Sequence, residues 1–125
     1  MFLVEVHMKE VNLKILLKNS DTDKISNIIG IFDEKSNILR YSDDNIEHIL
    51  DLNKKLLIRE NNDFIMKLNF NSKGENNMNI FYKELSRELN FNINIKELKS
   101  STNMLYIKYI INDIENIEYM VEIIN

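Results

Sequence analysis

Apolar residues recur at every second position through most of this chain, and that spacing constrains the fold more than any other feature. Successive side chains of a β-strand point to opposite faces of a sheet, so the alternation predicts strands with one apolar face and one wetter face. Half-buried strands of this kind are typical of antiparallel sheets. The clearest runs are Leu89, Phe91, Ile93 and Ile95; Leu105, Ile107, Tyr109 and Ile111; and Ile117, Tyr119, Val121 and Ile123.

Short polar turns separate these runs, and the same pattern predicts more strands upstream. An open sheet of so many strands would leave two unpaired edges, which closure into a barrel removes. The sequence therefore predicts an all-β, antiparallel, up-and-down β-barrel of about 8–10 strands, with a β-sandwich as the alternative. The upstream strands are expected at 38–42, 46–52, 56–59, 64–70 and 78–82.

Three segments leave alternatives open. Residues 25–32 carry apolar residues at a spacing that suits a helix or a strand, and 83–89 can form one short helical turn. The alternation changes parity after Met8, which indicates either a β-bulge or a break between two elements. We expect a single domain over 1–125, in which 1–10 form an additional N-terminal strand or arm.

Composition excludes several classes of function. The chain of 125 residues has no cysteine, which rules out disulfides, zinc–thiolate sites and thiol nucleophiles. A formal net charge of −4 argues against nucleic acid or an anionic membrane as a partner. No apolar run has the length of a membrane-spanning helix, and the first ten residues do not have the pattern of a signal peptide, so a cytoplasmic location is expected.

The chain carries four local patterns, within 30–41, 57–74, 82–98 and 107–123. Together they resemble a bacterial family of cytoplasmic proteins, the YwiB-like calycin β-barrels. The resemblance implies a calycin- or lipocalin-like barrel and no particular chemistry. Glu84-Leu85-Ser86-Arg87 stands where the family commonly has Thr-Pro-Tyr-Gly, so a function tied to that corner is not implied. The matching segments are 30–41, a glycine–aromatic hairpin; 57–59 followed by 66–70 and Gly74; Tyr82 with the long strand 89–98; and 107–123, the closing hairpin.

Three tyrosines and two arginines are the candidate ligand-binding residues. The alternation places Tyr82, Tyr109 and Tyr119 on apolar faces, where each hydroxyl needs a hydrogen-bond partner. Arg40 and Arg59 can supply that partner, or can hold the carboxylate of a ligand in a bidentate contact. The alternative is a satisfied polar network that closes one end of the barrel, with the arginines outside.

The remaining polar residues make no convincing catalytic or metal site. His7 and His48 are the only histidines, and we expect them on the surfaces of separate strands. The acidic segments 21–23 and 43–45 do not have the spacing of a calcium loop, and the second is better explained as a hairpin turn. No serine lies in a nucleophile motif. We therefore expect no cofactor, no metal and no enzymatic activity.

The leading functional hypothesis is a barrel that binds a small apolar molecule with one anionic or polar end, held by Arg59. A core filled by side chains is the alternative, since barrels of this size do either. A second hypothesis is a protein-interaction module, such as an inhibitor or immunity protein with a basic partner, or a homodimer rather than a monomer. Its expected surface is an apolar patch at Ile110, Ile111, Met120 and Ile124.

Overall fold

The computed structural model describes residues 8–124, within which ten β-strands form one closed barrel. Each strand pairs antiparallel with its neighbours in the chain, and β1 closes the barrel by pairing with β10. The predicted all-β, antiparallel, up-and-down barrel is confirmed. The strands are β1 (Met8–Lys18), β2 (Asp23–Asp33), β3 (Ile38–Asp43), β4 (Ile46–Asp51), β5 (Leu56–Glu60), β6 (Phe64–Asn69), β7 (Gly74–Tyr82), β8 (Arg87–Ser100), β9 (Met104–Ile111) and β10 (Glu115–Ile123).

Alternate residues of the strands point into the barrel, apart from a β-bulge between Ile95 and Glu97 of β8, and large aliphatic side chains fill its middle. Ten strands give an interior wide enough that the opposing faces need bulky residues to meet. Branched and unbranched aliphatic residues also suit the pleated strand surface. The completely buried part of this core includes Leu13, Leu50, Leu57, Leu68 and Ile107.

Because consecutive strands alternate in direction, the turns lie in two groups at the two ends of the barrel. We call the end with the turns at 19–22, 44–45, 61–63, 83–86 and 112–114 the upper end. The lower end carries the turns at 34–37, 52–55, 70–73 and 101–103. The tight turn at 44–45 is made by Asp44 and Asn45, both with positive φ (52° and 61°), as the hairpin interpretation of this acidic segment predicts.

The structure resolves two of the ambiguous segments as β-structure. Residues 25–32 lie within β2, and 83–86 form a turn, so the helical alternatives are wrong. Residues 25–32 pair with β1 in register, and 83–86 connect β7 to β8, whose first residues, 87–89, pair with β7. Met8 is part of β1, which pairs with β2 in unbroken register from Met8 to Lys18, so the parity change is not a bulge within that strand. Residues 1–7, the rest of the predicted N-terminal arm and the segment that contains His7, lie outside the described residues.

The contact between β2 and β3 is much shorter than the strands themselves. Among residues 8–124 they pair only through Ile31, Phe32 and Asp33 of β2. From that point towards the upper end of the barrel, the two strands are not paired with each other. We call this unpaired stretch the β2–β3 seam. Side chains bridge it, because Lys24 Nζ lies 3.4 Å from an Asp43 carboxylate oxygen and Ser26 Oγ donates to the other at 3.2 Å.

Candidate functional site

One layer of the barrel interior is polar, although the layer below it is aliphatic. Neighbouring positions of three strands carry Tyr41, His48 and Arg59, which are paired in register across β3, β4 and β5. Tyr109 of β9 and Tyr119 of β10 enter the interior from the opposite side. We refer to these five residues as the polar layer.

Two tyrosine hydroxyls meet inside the barrel. Tyr41 Oη and Tyr119 Oη are 2.6 Å apart, and the residues are only 3% and 1% exposed. Their strands are not neighbours, so this hydrogen bond connects two parts of the barrel wall through its interior. Burial raises the pKa of both hydroxyls, which keeps them protonated and able to donate.

The Arg59 guanidinium lies in this layer without an acidic partner. Its central carbon is 5.2 Å from the centre of the Tyr119 ring, a distance at which the ring face attracts a cation. Nε and Nη2 are inaccessible to solvent and have no hydrogen-bond partner. No carboxylate within the described part of the chain forms an ion pair with Arg59. Burial raises the pKa of the Tyr109 hydroxyl, and the nearby Arg59 charge opposes that rise.

His48 is buried, so its expected place on a strand surface is wrong. Only 7% of the residue is exposed, and its ring stacks on Tyr41 with centroids 4.4 Å apart and planes 8° apart. Burial, reinforced by the positive charge of Arg59, lowers the pKa of His48 to about 4. The imidazole is therefore neutral at pH 7, and its Nδ1 is a third buried atom without a hydrogen-bond partner.

The structure brings together three of the five candidate ligand-binding residues. Arg59, Tyr109 and Tyr119 belong to the polar layer. Arg40 is exposed on the outer face of β3, because the buried residues of that strand, Leu39 among them, have the opposite parity. Tyr82 is half-buried near the upper end of β7, opposite Phe64 in register.

Sequence reasoning missed Tyr41 and His48 as members of this layer. A signal was available, since Tyr41 shares its parity with the buried Leu39, and His48 shares its parity with the buried Leu50. Short strands give too few alternating positions to choose the inward face with certainty. The stacked pair was therefore visible only as two polar aromatic residues on adjacent predicted strands.

The lower end of the barrel opens into a cup with a volume of about 500 Å³. Its floor includes Leu39 and Leu50, which lie two residues along their strands from Tyr41 and His48, so the cup ends roughly 7 Å below the polar layer. Polar residues of the turns, including Asn37, Lys55 and 100–103, form the rim. The apolar wall consists of Phe32, Leu39, Leu50, Leu52, Phe70, Leu98, Met104, Leu105, Val121 and Ile123.

Directly above the cup, the middle of the barrel is filled. Leu13, Leu57, Leu68 and Ile107 are all fully buried at mid-height. Each of the two alternatives, an open and a filled barrel, therefore holds for part of the interior. The middle is packed with side chains, and one mouth is open. The cup does not reach Arg59, which is not among its lining residues.

The acidic segments are engaged in local contacts. In the turn between β1 and β2, the Asn19 side chain accepts hydrogen bonds from the backbone amides of Asp21 and Thr22. Lys24 forms ion pairs with both Asp43 and Asp44. Residues 8–124 contain no group of three or more histidine and acidic side chains arranged to hold a metal ion.

Comparison with known proteins shows that the fold is similar to that of a solved structure. No protein-family model matches the chain, and no curated protein matches it. The crystal structure of the YwiB protein from Bacillus subtilis is similar, with a TM-score of 0.59 and 14% sequence identity over 95% of this chain and 96% of that one. At this identity the likeness supports the YwiB-like fold that the local patterns implied, and it carries no activity. The described residues also contain no helix that could cross a membrane.

Proposed function

We propose that this protein binds a small apolar or amphipathic molecule in the cup at the lower end of its barrel and does not catalyse a reaction. The observation that supports this most directly is the cup itself. Its volume of about 500 Å³ lies within the range of small-molecule sites, and the mouth of a barrel is a common place for one. The cytoplasmic location expected from the sequence is part of the same proposal.

The chemistry of the cup favours a ligand with one apolar body and one polar end. Its wall is aliphatic and aromatic, so burial of apolar ligand surface there is favourable. The rim offers Asn37, Lys55 and the hydroxyls of 100–102, which can form hydrogen bonds with a polar group left at the mouth. The ligand would therefore enter with its apolar end first.

A fluorescent apolar probe tests the proposal. N-phenyl-1-naphthylamine should bind the purified protein saturably, with increased emission. In Leu52→Arg, which places a charge on the cup wall, the affinity should fall about tenfold or more, because the probe would then have to desolvate that charge. Leu85→Arg, in the exposed turn at the opposite end, is the matched control and should bind as the wild type does.

Failure of the probe to saturate, or equal affinity in Leu52→Arg and the wild type, would contradict binding in the cup. Native mass spectrometry of gently purified protein complements the titration. A reproducible extra mass of a few hundred daltons that is lost on denaturation would identify the natural ligand for analysis.

A second candidate function is self-association through β2. The expected patch is wrong in part, because Ile111 packs inward against the core, although Ile124 is 52% exposed. Three exposed isoleucines lie on the outer face of β2, where Ile25 is 60%, Ile29 is 65% and Ile31 is 47% exposed. The β2 edge along the seam also has no strand partner in the described part of the chain.

A second copy of the chain fits this edge better than an unrelated partner. If two β2 strands pair antiparallel around Asn27, Ile25 of each copy lies opposite Ile29 of the other, which satisfies the two-fold symmetry of a homodimer. Sedimentation equilibrium should then show a dimer that Ile29→Lys abolishes and Leu85→Lys preserves. A monomer at all concentrations would exclude this function.

A further inference from the structure

We infer that Arg59 forms a buried anion site inside the barrel, and that its ligand is a small monocarboxylate. This site is separate from the cup and does not depend on the function proposed for it. Arg59 carries a permanent positive charge, and two of its nitrogens are shielded from solvent without a partner. The residue as a whole is partly exposed, but shielded N–H groups of a cation are stable only when they are hydrogen-bonded, so this side of the guanidinium calls for an anion.

The two unpartnered nitrogens define the shape of that anion. Nε and Nη2 lie on the same side of the planar guanidinium, so their N–H groups point outward in parallel as a fork. A fork of this kind matches the two oxygens of a carboxylate, which accepts one hydrogen bond from each nitrogen. A spherical ion such as chloride is a single acceptor, so it matches the two parallel N–H groups less well.

The surroundings favour a single negative charge. Arg59 is the only cation of the polar layer, because His48 is neutral at pH 7. The Tyr41 and Tyr119 hydroxyls already bond to each other. A phosphate or sulfate dianion would therefore bring one charge more than the layer can balance, at a high desolvation cost.

His48 provides the second, independent feature of the site. Only 7% of its surface is exposed, and its Nδ1 has no hydrogen-bond partner. The stacking on Tyr41 holds the ring in place beside Arg59, which is its register neighbour on β5. With its proton on Nδ1, the neutral imidazole can donate a third hydrogen bond to a bound carboxylate.

The β2–β3 seam offers a small anion a route to this layer. Over this stretch the two strands are connected by side chains rather than by ladder hydrogen bonds. Lys24 and Asp43, which bridge the seam, are close enough to influence the pKa of His48. Opening this route requires the Lys24 ion pairs and the Ser26–Asp43 hydrogen bond to separate, but it breaks no β-ladder.

Arginine side-chain NMR tests the inference directly, because the chain has only three arginines. Arg40→Gln and Arg87→Gln, both at exposed positions, identify two of the three Nε–H signals, and the third belongs to Arg59. Sodium acetate and sodium formate, titrated at constant ionic strength, should shift the Arg59 signal saturably in the wild type and in both surface variants. The Arg40 and Arg87 signals should change only slightly.

A stability measurement provides a second readout. Acetate should raise the urea midpoint of the wild type, of Arg40→Gln and of Leu52→Arg, since a ligand that binds only the folded state stabilises it. Arg59→Lys keeps the charge but removes the fork, and should lose the acetate effect. If Arg59→Lys does not fold, the NMR titration of the wild type still decides the question.

Three outcomes would overturn the inference. The first is an Arg59 signal that does not respond to acetate or formate up to 100 mM, which would mean that ordered water satisfies the guanidinium. The second is an equal response to chloride or sulfate, which would exclude a carboxylate site. The third is an acetate effect on stability that persists unchanged in a folded Arg59→Lys.

Discussion

Replacing Tyr41 and Tyr119 with phenylalanine, singly and together, measures how strongly the hydroxyl pair inside the barrel stabilises the fold. The two oxygens are 2.6 Å apart in a region from which water is excluded. Phenylalanine keeps the aromatic rings, and with them the stacking on His48 and the contact with the Arg59 guanidinium. The substitutions therefore change the hydrogen bond and little else.

The expected losses follow from which hydroxyl remains. Each single variant leaves the other hydroxyl buried and unpaired, which costs about 1–3 kcal/mol of the free energy of unfolding. The double variant removes donor and acceptor together, so it should lose less than either single variant, about 1 kcal/mol or under. For a domain of ordinary stability, the single losses are a substantial fraction of the total.

Urea unfolding followed by far-UV circular dichroism supplies the three free-energy differences of the cycle. Tyr106→Phe is the matched control, because its hydroxyl bonds to Glu118 at 2.6 Å on the partly exposed outer face, and its loss should be under about 1 kcal/mol. If the losses in the double variant equal the sum of the two single losses, the hydroxyls do not depend on each other and the reasoning is refuted.

Three further stability effects follow from the same structure. Gly30→Ala should cost about 1–3 kcal/mol, because its Cβ would lie 2.6 Å from Leu13 Cδ1 and 2.9 Å from the Arg40 carbonyl oxygen; an unchanged urea midpoint would show that the strands separate freely there. Since the pKa of His48 is near 4 when folded and 6.5 when unfolded, the unfolded chain binds the proton first. Stability should therefore fall by roughly 3 kcal/mol as the pH drops from 6.5 to 4, and His48→Phe should lack this part of the pH dependence in urea titrations at pH 7, 5.5 and 4.5. Leu57→Ala should cost about 2–5 kcal/mol by leaving a cavity at mid-height, and a loss under 1 kcal/mol by calorimetry would contradict the filled middle.

Most of the strands could be predicted from the chain, because alternation is a local property. The three C-terminal runs identified β8, β9 and β10 and the inward side of each. Tyr109 and Tyr119 were therefore placed correctly on inward faces. Residues 25–32 were ambiguous because four isoleucine and phenylalanine positions fit both periods, and only pairing with β1 decides for a strand.

The polar layer could be predicted only in part. In β3 both Ile38 and Leu39 are apolar, so the pattern does not show whether Arg40 or Tyr41 faces inward. The same is true of His48 in β4, which lies between an apolar neighbour and a charged one. The open cup was also beyond prediction, because its volume depends on how turns from several hairpins are spaced around one end.

The sequence by itself determined that this chain forms antiparallel strands, because that follows from the side-chain period. It favoured a barrel over a sandwich, because closure removes sheet edges. Only the tertiary structure decided that Arg59 meets Tyr119 and that Tyr41 meets the same residue across the interior. Those contacts join residues 60 and 78 positions apart in the chain, and they exist because strand register and barrel closure bring distant inward faces to one level.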